Sequence, residues 1–175
     1  MKIENIKVGY LETNVYLLSK NNHYLIIDPG DESEKIINQI KGKVDGIIIT
    51  HHHFDHVGAL DEVKENYNVK VYDRYNLKEG KNQIGKFIFE VIYTPGHTDD
   101  LISIYFKDEK ALFCGDFIFK GAIGRFDFPE SNFKDMQNSI KKIIKYPKTT
   151  HIYPGHDDKT TLGDEYNMLM YYLNI

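Results

Sequence analysis

The chain has 175 residues, of which 41% are hydrophobic and 27% charged, and its formal net charge of −4 leaves no basic surface for nucleic acid. This composition is typical of a single globular domain covering residues 1–175, and no apolar run approaches the roughly 20 residues that span a membrane. The one cysteine, Cys114, and the lack of an apolar leader after Met1 predict a cytoplasmic protein without an internal disulfide.

The first half of the chain alternates short apolar segments with turns. Strands are predicted at residues 2–9, 13–19, 23–28, 45–50 and 69–73. Helices are predicted at residues 33–41, where Asp31 or Ser33 is available as a cap, and at residues 57–66. Residues 74–85 are polar, and a connection without regular structure is expected there.

The second half continues this alternation. Strands are predicted at residues 86–93, 101–106, 111–114 and 151–153, and helices at residues 135–145 and 162–173, the last opened by Thr161. Residues 117–132 carry glycines, prolines and many aromatic side chains, which indicates a functional loop. Together the elements predict an α/β (α+β) fold in which helices cover the outer faces of sheets.

Four metal-competent side chains follow directly after a buried strand. Residues 47–58 read Ile-Ile-Ile-Thr-His-His-His-Phe-Asp-His-Val-Gly, which places His51, His53, Asp55 and His56 within six residues. Neighbouring imidazoles compete for protons, and a carboxylate beside them favours a positive partner. A metal ion satisfies both requirements, so this segment predicts a metal site.

Three further strands end in the same way. Thr-Pro-Gly-His97, Gly-Asp116 and Pro-Gly-His156 each follow an apolar strand. Ligands of open α/β sheets bind beyond the carboxyl ends of strands, so we expect these side chains to share one site with the first cluster. Six of the eight histidines of the chain lie in these turn motifs, which chance would rarely produce.

Seven donors exceed the four or five that one zinc ion takes. They divide between two ions, with His51, His53 and His97 on one, Asp55, His56 and His156 on the other, and Asp116 as a bridge. Two divalent ions roughly 3.5–4 Å apart hold a hydroxide that needs no serine or cysteine nucleophile. The two ions, two carboxylates and one hydroxide leave about +1 at the site, which suits a developing oxyanion. Asp55 is also placed to orient the hydroxide and to carry its proton to the leaving group.

The ordered motifs resemble those of the metallo-β-lactamase-fold hydrolases. They are Thr50-His51-x-His53-x-Asp55-His56, Thr94-Pro-Gly-His97, Gly115-Asp116 and Pro154-Gly-His156, and the resemblance runs from about Asn14 onward. Gly121-Ala-Ile-Gly124-Arg125-Phe-Asp127-Phe-Pro129 further resembles the glyoxalase II-like branch, the hydroxyacylglutathione hydrolases and their short relatives. The resemblance implies a four-layer αβ/βα sandwich, a dinuclear site, and hydrolysis of a thioester such as S-lactoylglutathione. Zinc is expected, although iron and manganese suit the same ligands.

The expected substrate contacts lie in the loop at residues 117–132. Full glyoxalase II enzymes use a C-terminal helical domain for much of the glutathione contact, whereas only one helix follows the last metal motif here. For a small acidic thioester, Lys120 and Arg125 are candidates to hold a carboxylate. Aromatic side chains of the same loop are candidates to wall the pocket, namely Phe117, Phe119, Phe126 and Phe128.

Several other side chains have structural interpretations. If strand alternation persists, His52 points away from its two neighbours and is not a ligand. A small buried side chain is the simplest role for Cys114. Arg125 either contacts substrate or pairs with Asp127, and Asp28 either caps a helix or accepts a hydrogen bond from a liganding histidine.

Other functions on this fold stay open. A mononuclear-iron oxidoreductase of the persulfide dioxygenase type would use His51, His97 and Asp116, and metal counting with an oxygen-consumption assay separates it from a dinuclear hydrolase. Another small ester or lactone is an alternative substrate. β-Lactamases resemble the pattern but carry a cysteine where Asp116 stands and are exported. A nuclease would need a basic arm, and a scaffold domain would have lost ligands.

Overall fold

The computed structural model describes the whole chain, Met1–Ile175, as strands and five helices. The strands are β1 Lys2–Val8, β2 Thr13–Lys20, β3 His23–Ile27, β4 Lys43–Ile48, β5 Val71–Tyr72, β6 Gly80–Ile84, β7 Phe87–Tyr93, β8 Ile102–Phe106, β9 Ala111–Gly115, β10 Ile118–Phe119, β11 Ala122–Ile123, β12 His151–Pro154 and β13 Thr160–Thr161. The helices are α1 Ser33–Gln39, α2 Phe54–Val57, α3 Leu60–Tyr67, α4 Phe133–Ile143 and α5 Leu162–Leu173. None of these helices has the length and apolar character needed to cross a bilayer.

The strands form two mixed sheets and a small hairpin. The first sheet has the order β1-β2-β3-β4-β5, antiparallel up to β3 and parallel from β3 to β5. The second sheet has the order β13-β12-β9-β8-β7-β6, in which β9 and β12 are the only neighbouring strands that pair in parallel. The hairpin consists of β10 and β11. The antiparallel β7-β8-β9 arrangement makes β7, β9 and β12 end at the same edge of the second sheet.

Apolar side chains on both faces of each sheet produce four layers. Between the sheets, Ile48 of β4 belongs to one cluster with Phe113 of β9. Ile47 points outward into the layer of α1 and α3, and Leu112 and Cys114 point into the layer of α4 and α5. Adjacent residues of a strand therefore serve opposite layers, as the period of two requires. The predicted four-layer αβ/βα sandwich is confirmed.

Two segments contain strands that the sequence does not predict. Residues 74–85 were expected to be a connection, and this prediction is wrong because they contain β6. That strand lies at the edge of the second sheet and buries only Ile84, so it lacks the apolar alternation that marks a strand. The loop at residues 117–132 contains the β10–β11 hairpin, whose strands of two residues are too short to show a period.

The helix predicted at residues 57–66 corresponds to α3, Leu60–Tyr67, and the separate short helix α2, Phe54–Val57, precedes it. Gly58 lies between them, and a Cβ atom there would approach Gly30 O to 2.3 Å. This close passage of two backbones explains the glycine.

The two predicted helix caps have different outcomes. The position before α1 is Glu32, which has a left-handed conformation and makes no capping hydrogen bond, so the caps proposed at Asp31 and Ser33 are wrong. Asp31 accepts instead from the backbone N–H of Glu32 (2.7 Å), which fixes the turn before the helix. Thr161 caps α5 as predicted, because its hydroxyl accepts from the N–H of Asp164 (3.1 Å).

Backbone hydrogen bonds join the sheets at the edge where β4, β7, β9 and β12 end. Ile102 N donates to Thr50 O (2.9 Å) and Asn14 N donates to Gly155 O (2.7 Å), and within the second sheet Gly155 N donates to Gly115 O (2.9 Å). These bonds fix the spacing of the strand ends. The side chains that follow them therefore stand on a rigid frame.

Candidate metal centre

The seven predicted ligands converge at this edge and form two groups. One ligand atom from each of His51, His53, His97 and Asp116 lies within 4.8 Å of the others, and the same holds for Asp55, His56 and His156. His51 and His53 follow β4, Asp55 and His56 lie in α2, and the remaining three follow β7, β9 and β12. Both groups thus combine donors from loops of the two sheets.

Asp116 contacts histidines of both groups. Its Oδ2 lies 3.6 Å from His97 Nε2 and 3.4 Å from His156 Nε2, and its Oδ1 lies 3.3 Å from His56 Nε2. The carboxylate is therefore the geometric centre of the cluster. This position suits the bridging role expected from the sequence.

Hydrogen bonds outside the cluster fix the orientation of three imidazoles. His56 Nδ1 donates to Asp28 Oδ2 (3.0 Å), His97 Nδ1 donates to the carbonyl of Arg125 (2.8 Å), and His156 Nδ1 donates to the carbonyl of Leu11 (3.0 Å). With Nδ1 protonated, each ring turns the lone pair of Nε2 toward the cluster. This is the tautomer that a metal ligand needs.

Asp28 also supports a fourth imidazole through Thr50. Its two oxygens accept from Thr50 N (2.7 Å) and Thr50 Oγ1 (2.6 Å), and Thr50 Oγ1 in turn accepts from His51 Nδ1 (3.1 Å). Asp28 is buried and has a left-handed backbone conformation (φ 53°). Such a conformation is unfavourable outside glycine, and it directs the carboxylate at His56 and at Thr50, which contacts His51.

Thr13 and Glu130 complete the outer support, and the sequence gives no signal for either. Thr13 Oγ1 donates to Asp55 Oδ2 (2.8 Å). His53 Nε2 donates to Glu130 Oε1 (3.1 Å), so the ring turns Nδ1 inward instead. His53 Nδ1 lies 3.0 Å from His97 Nε2.

The donor atoms suit a bound cation better than they suit one another. His97 Nε2 and His53 Nδ1 both present lone pairs across 3.0 Å when their other nitrogens donate outward. Three atoms of the cluster are buried without a hydrogen-bond partner, namely His51 Nε2, His56 Nε2 and Asp116 Oδ1. A divalent ion in each group satisfies these orphaned acceptors, and imidazole and carboxylate are the ligands that zinc, iron and manganese take.

The cluster also perturbs the pKa values of its members. Burial raises the pKa of Asp116, but close contact with His156 and His56 outweighs burial and holds it well below its usual range. Burial lowers the pKa of His56 and His156, yet contact with Asp116, and with Asp28 and Asp55 respectively, raises both to about 10. Burial holds the pKa of His51 well below its usual range, and the nearby His56 adds to this effect. Without a cation, the cluster therefore retains protons on two imidazoles.

A glycine allows the segment after β12 to approach the carboxylate of Asp116 closely. A Cβ atom on Gly155 would lie 2.2 Å from Asp116 Oδ1 and 2.7 Å from His56 Cε1. Any side chain at this position would occupy the space of Asp116 and His56.

The candidate substrate residues lie at the rim. Arg125 makes a bidentate contact with Asp127 (2.9 Å for both bonds), its side chain is 65% exposed, and its guanidinium lies 4.2 Å from the ring centroid of Phe128. Phe126 packs against Phe133, with ring centroids 4.6 Å apart, and Lys120 is exposed.

Other aromatic side chains of the same loop reach histidines of the cluster. The ring centroid of Phe128 lies 5.7 Å from those of His53 and His97. The ring of Phe119 lies 6.2 Å from that of His156. Phe117, which was expected to wall the pocket, is fully buried in the layer of α4 and α5.

Two residues with open roles lie outside the cluster. His52 Nδ1 donates to Asp100 Oδ2 (2.6 Å), so its ring points away from its neighbours. Cys114 is fully buried among apolar side chains, and this burial raises the pKa of its thiol to about 12. Neither side chain faces the metal ligands.

Comparison with known proteins shows which family the chain matches. The metallo-beta-lactamase superfamily matches residues 8–78 and 76–156. The chain is 30% identical over 201 residues to hydroxyacylglutathione hydrolase GloC of Haemophilus influenzae, across 94% of this chain and 95% of that protein.

Three solved structures are also similar. The B3 metallo-beta-lactamase BLEG-1 has a TM-score of 0.92 and 30% identity, covering 98% of this chain and 99% of that one. TTHA1623 in a di-iron-bound form has a TM-score of 0.86 and 30% identity, covering 93% and 96%. ETHE1 from Myxococcus xanthus has a TM-score of 0.87 and 25% identity, covering 99% and 85%.

Proposed function

Because the chain belongs to the metallo-beta-lactamase superfamily, we propose that it is a metal-dependent hydrolase cleaving a small thioester of the S-lactoylglutathione type. The observation that carries the proposal is the pair of donor groups around Asp116, with orphaned acceptors turned inward. The substrate class is supported by the similarity to GloC, which extends over nearly the whole of both chains. The segment at residues 121–129, which resembles the glyoxalase II-like branch, supports the same class.

Two divalent cations are proposed, one in each group and Asp116 between them. Zinc suits these imidazole and carboxylate donors, and iron suits them as well. The di-iron-bound form of TTHA1623 supports a count of two. When bound, the metals would supply a polarised water and a Lewis acid at the thioester carbonyl.

The carboxylate of Asp55 is proposed to transfer the proton of the attacking water. Burial raises the pKa of Asp55, but the hydrogen bond from His156 and the charge of His56 outweigh burial and lower it to about 2, so the group is ionised at neutral pH. Thr13 holds Oδ2 and leaves Oδ1 for a water. Asp55 orients the attacking water, accepts its proton, and returns that proton to the thiolate when the C–S bond breaks. The products are a carboxylic acid and a thiol.

The rim residues are proposed to bind the remainder of the substrate. Phe128 and Phe119 flank opposite sides of the ligands and form apolar walls. Lys120 and Arg125 are the proposed contacts for a substrate carboxylate, and Phe126 a further wall. Arg125 would release Asp127 to bind the substrate, and this solvent-exposed ion pair is weak enough to allow the exchange.

A β-lactam is the second candidate substrate class, because the similarity to BLEG-1 extends over the whole fold. The decisive experiment combines elemental analysis of protein purified without chelator with assays on S-lactoylglutathione, a chromogenic cephalosporin, and glutathione persulfide with oxygen. We expect two metals per chain and thioester cleavage. One iron per chain with oxygen consumption would instead support a persulfide dioxygenase, and cleavage of the cephalosporin alone would support a β-lactamase.

The bridging role of Asp116 is tested by Asp116→Asn. The variant is expected to lose at least one metal and most turnover, because the amide is a neutral and weaker ligand. Its circular dichroism should match that of the wild type. Full activity in this variant would refute the bridging role.

A further inference from the structure

The loop at residues 125–132 attaches to the first group of donors only. The carbonyl of Arg125 accepts from His97 Nδ1 (2.8 Å), Glu130 Oε1 accepts from His53 Nε2 (3.1 Å), and Ser131 Oγ donates to the carbonyl of His97 (2.6 Å). The ring of Phe128 lies against both histidines. None of the loop's hydrogen bonds reaches Asp55, His56 or His156.

The second group depends on elements from the N-terminal part of the chain. Thr13 of β2 donates to Asp55, and the carbonyl of Leu11, in the β1–β2 turn, accepts from His156. Asp28 is the common support, because it contacts His56 directly and His51 through Thr50. Apart from Asp28, the supports of the two groups are therefore separate.

Glu130 is the contact on which the orientation of His53 depends. His53 is the most exposed histidine of that group, with 25% of its side chain accessible, and Glu130 is the only acceptor at its Nε2. Without Glu130 the imidazole of His53 can rotate, so that Nε2 replaces Nδ1 as the nitrogen that faces His97. His97 and His51 are buried and do not have this freedom.

We propose that Glu130 is a positioning residue that sets the metal affinity of the His51–His53–His97 group without affecting the other group. The proposal rests on the proposed function insofar as both groups bind metal. It makes the loop at residues 125–132 the support of one ion, whereas Thr13 and Leu11 support the other. The two ions should then respond separately to changes in their supports.

The test is a zinc titration of the metal-free protein against a chromophoric chelator. Glu130→Ala is expected to raise one of the two zinc dissociation constants about 10- to 100-fold and to leave the other unchanged. Glu130→Gln should retain most of the affinity, since its amide oxygen still accepts from His53 Nε2. Glu65→Ala is the matched control, because Glu65 is an exposed carboxylate on α3 without a side-chain hydrogen bond or ion pair, and it should match the wild type.

Thr13→Val supplies the reciprocal change. It removes the hydroxyl that holds Asp55. This change should raise the zinc dissociation constant that Glu130→Ala leaves unchanged. Because the two supports share no partner, the double variant should show both single changes together. The proposal would be overturned if Glu130→Ala raised both zinc dissociation constants equally. It would also be overturned if Glu130→Ala raised neither.

An imidazole ¹⁵N–¹H spectrum of the zinc-loaded protein assigns the change to His53. The Nε2–H signal of His53 should be protected in the wild type and in Glu130→Gln, and lost to exchange with water in Glu130→Ala. A persistent signal in Glu130→Ala would contradict the proposal, and so would a Glu130→Gln variant as weak as Glu130→Ala. If the wild type binds one zinc only, the dinuclear function fails, yet weakening of that zinc by Glu130→Ala and not by Thr13→Val still supports the role of Glu130.

Discussion

Asp28→Asn is expected to weaken both metal positions, because Asp28 orients one histidine in each. Asp28 Oδ1 accepts from Thr50 N, and Oδ2 accepts from Thr50 Oγ1 and His56 Nδ1. An asparagine amide of the same shape has one oxygen and one NH₂ group. If the oxygen faces Thr50 N, the NH₂ group faces His56 Nδ1, which must then accept and carry its proton on Nε2. If the amide is flipped, NH₂ faces the backbone N–H of Thr50 at 2.7 Å.

The magnitude follows from the bond that is lost. A hydrogen bond to a charged group contributes about 1.5–3 kcal/mol, and about 1.4 kcal/mol corresponds to a factor of ten in affinity. We therefore expect zinc affinity at the His56 position to fall about 10- to 100-fold, with a smaller loss at the His51 position. The assay is the same chelator competition on metal-free protein, accompanied by thermal unfolding to verify the fold.

Asp45→Asn is the matched control for this prediction. Asp45 is a buried carboxylate that accepts from His23 Nδ1 (2.8 and 2.9 Å) and from Lys86 N (3.1 Å), away from the metal donors. It should lose free energy of unfolding while zinc affinity stays at the wild-type value. Unchanged zinc affinity in Asp28→Asn, or an equal loss in Asp45→Asn, would refute the tautomer argument.

Three further predictions follow from burial and charge in the cluster and beside it. First, the pKa values of about 10 for His56 and His156 keep both protonated at neutral pH in the metal-free protein, so metal binding must release protons. Affinity should rise with pH up to this range, by about tenfold per pH unit for each proton, and calorimetry in buffers of different ionisation enthalpy should detect the release; buffer-independent enthalpies would contradict it. Second, Cys114, whose thiol has a pKa of about 12 and is fully buried, should not react with a thiol reagent at pH 8 until the protein is denatured, and rapid labelling of the native protein would disprove the burial argument. Third, Gly155→Ala should reduce metal content and cost about 1–3 kcal/mol of unfolding free energy through overpacking, because its Cβ would lie 2.2 Å from Asp116 Oδ1; a fully loaded variant with wild-type stability would show that the backbone can move aside.

The sequence predicts the fold best where apolar periodicity is strong. The isoleucines of β4 and the alternation of β7 and β8 are visible because these strands bury one or both faces. β6 is missed because an edge strand with one buried residue leaves no such pattern. The separate helix α2 is missed because its separation from α3 depends on the passage of Gly58 against Gly30, which is a tertiary contact.

The candidate site shows the same limit. The donors can be named from the sequence because histidine and aspartate at strand ends carry their chemistry in their identity. Their supports cannot, because the carbonyls of Leu11 and Arg125 belong to any residue type and Glu130 lies 77 positions from the histidine it contacts. Asp28 is the exception, since its position at the end of β3 suggests a supporting role.

The division of the donors between two sheets has a consequence for folding. Four donors belong to segments anchored on the first sheet and three to segments anchored on the second, and each cation joins both sets. A bound ion would thus cross-link the two sheets. Neither half of the chain alone would provide a complete coordination sphere. The metal sites therefore form only after the two sheets have packed together. Removing the ions should weaken the packing between the sheets before either sheet unfolds.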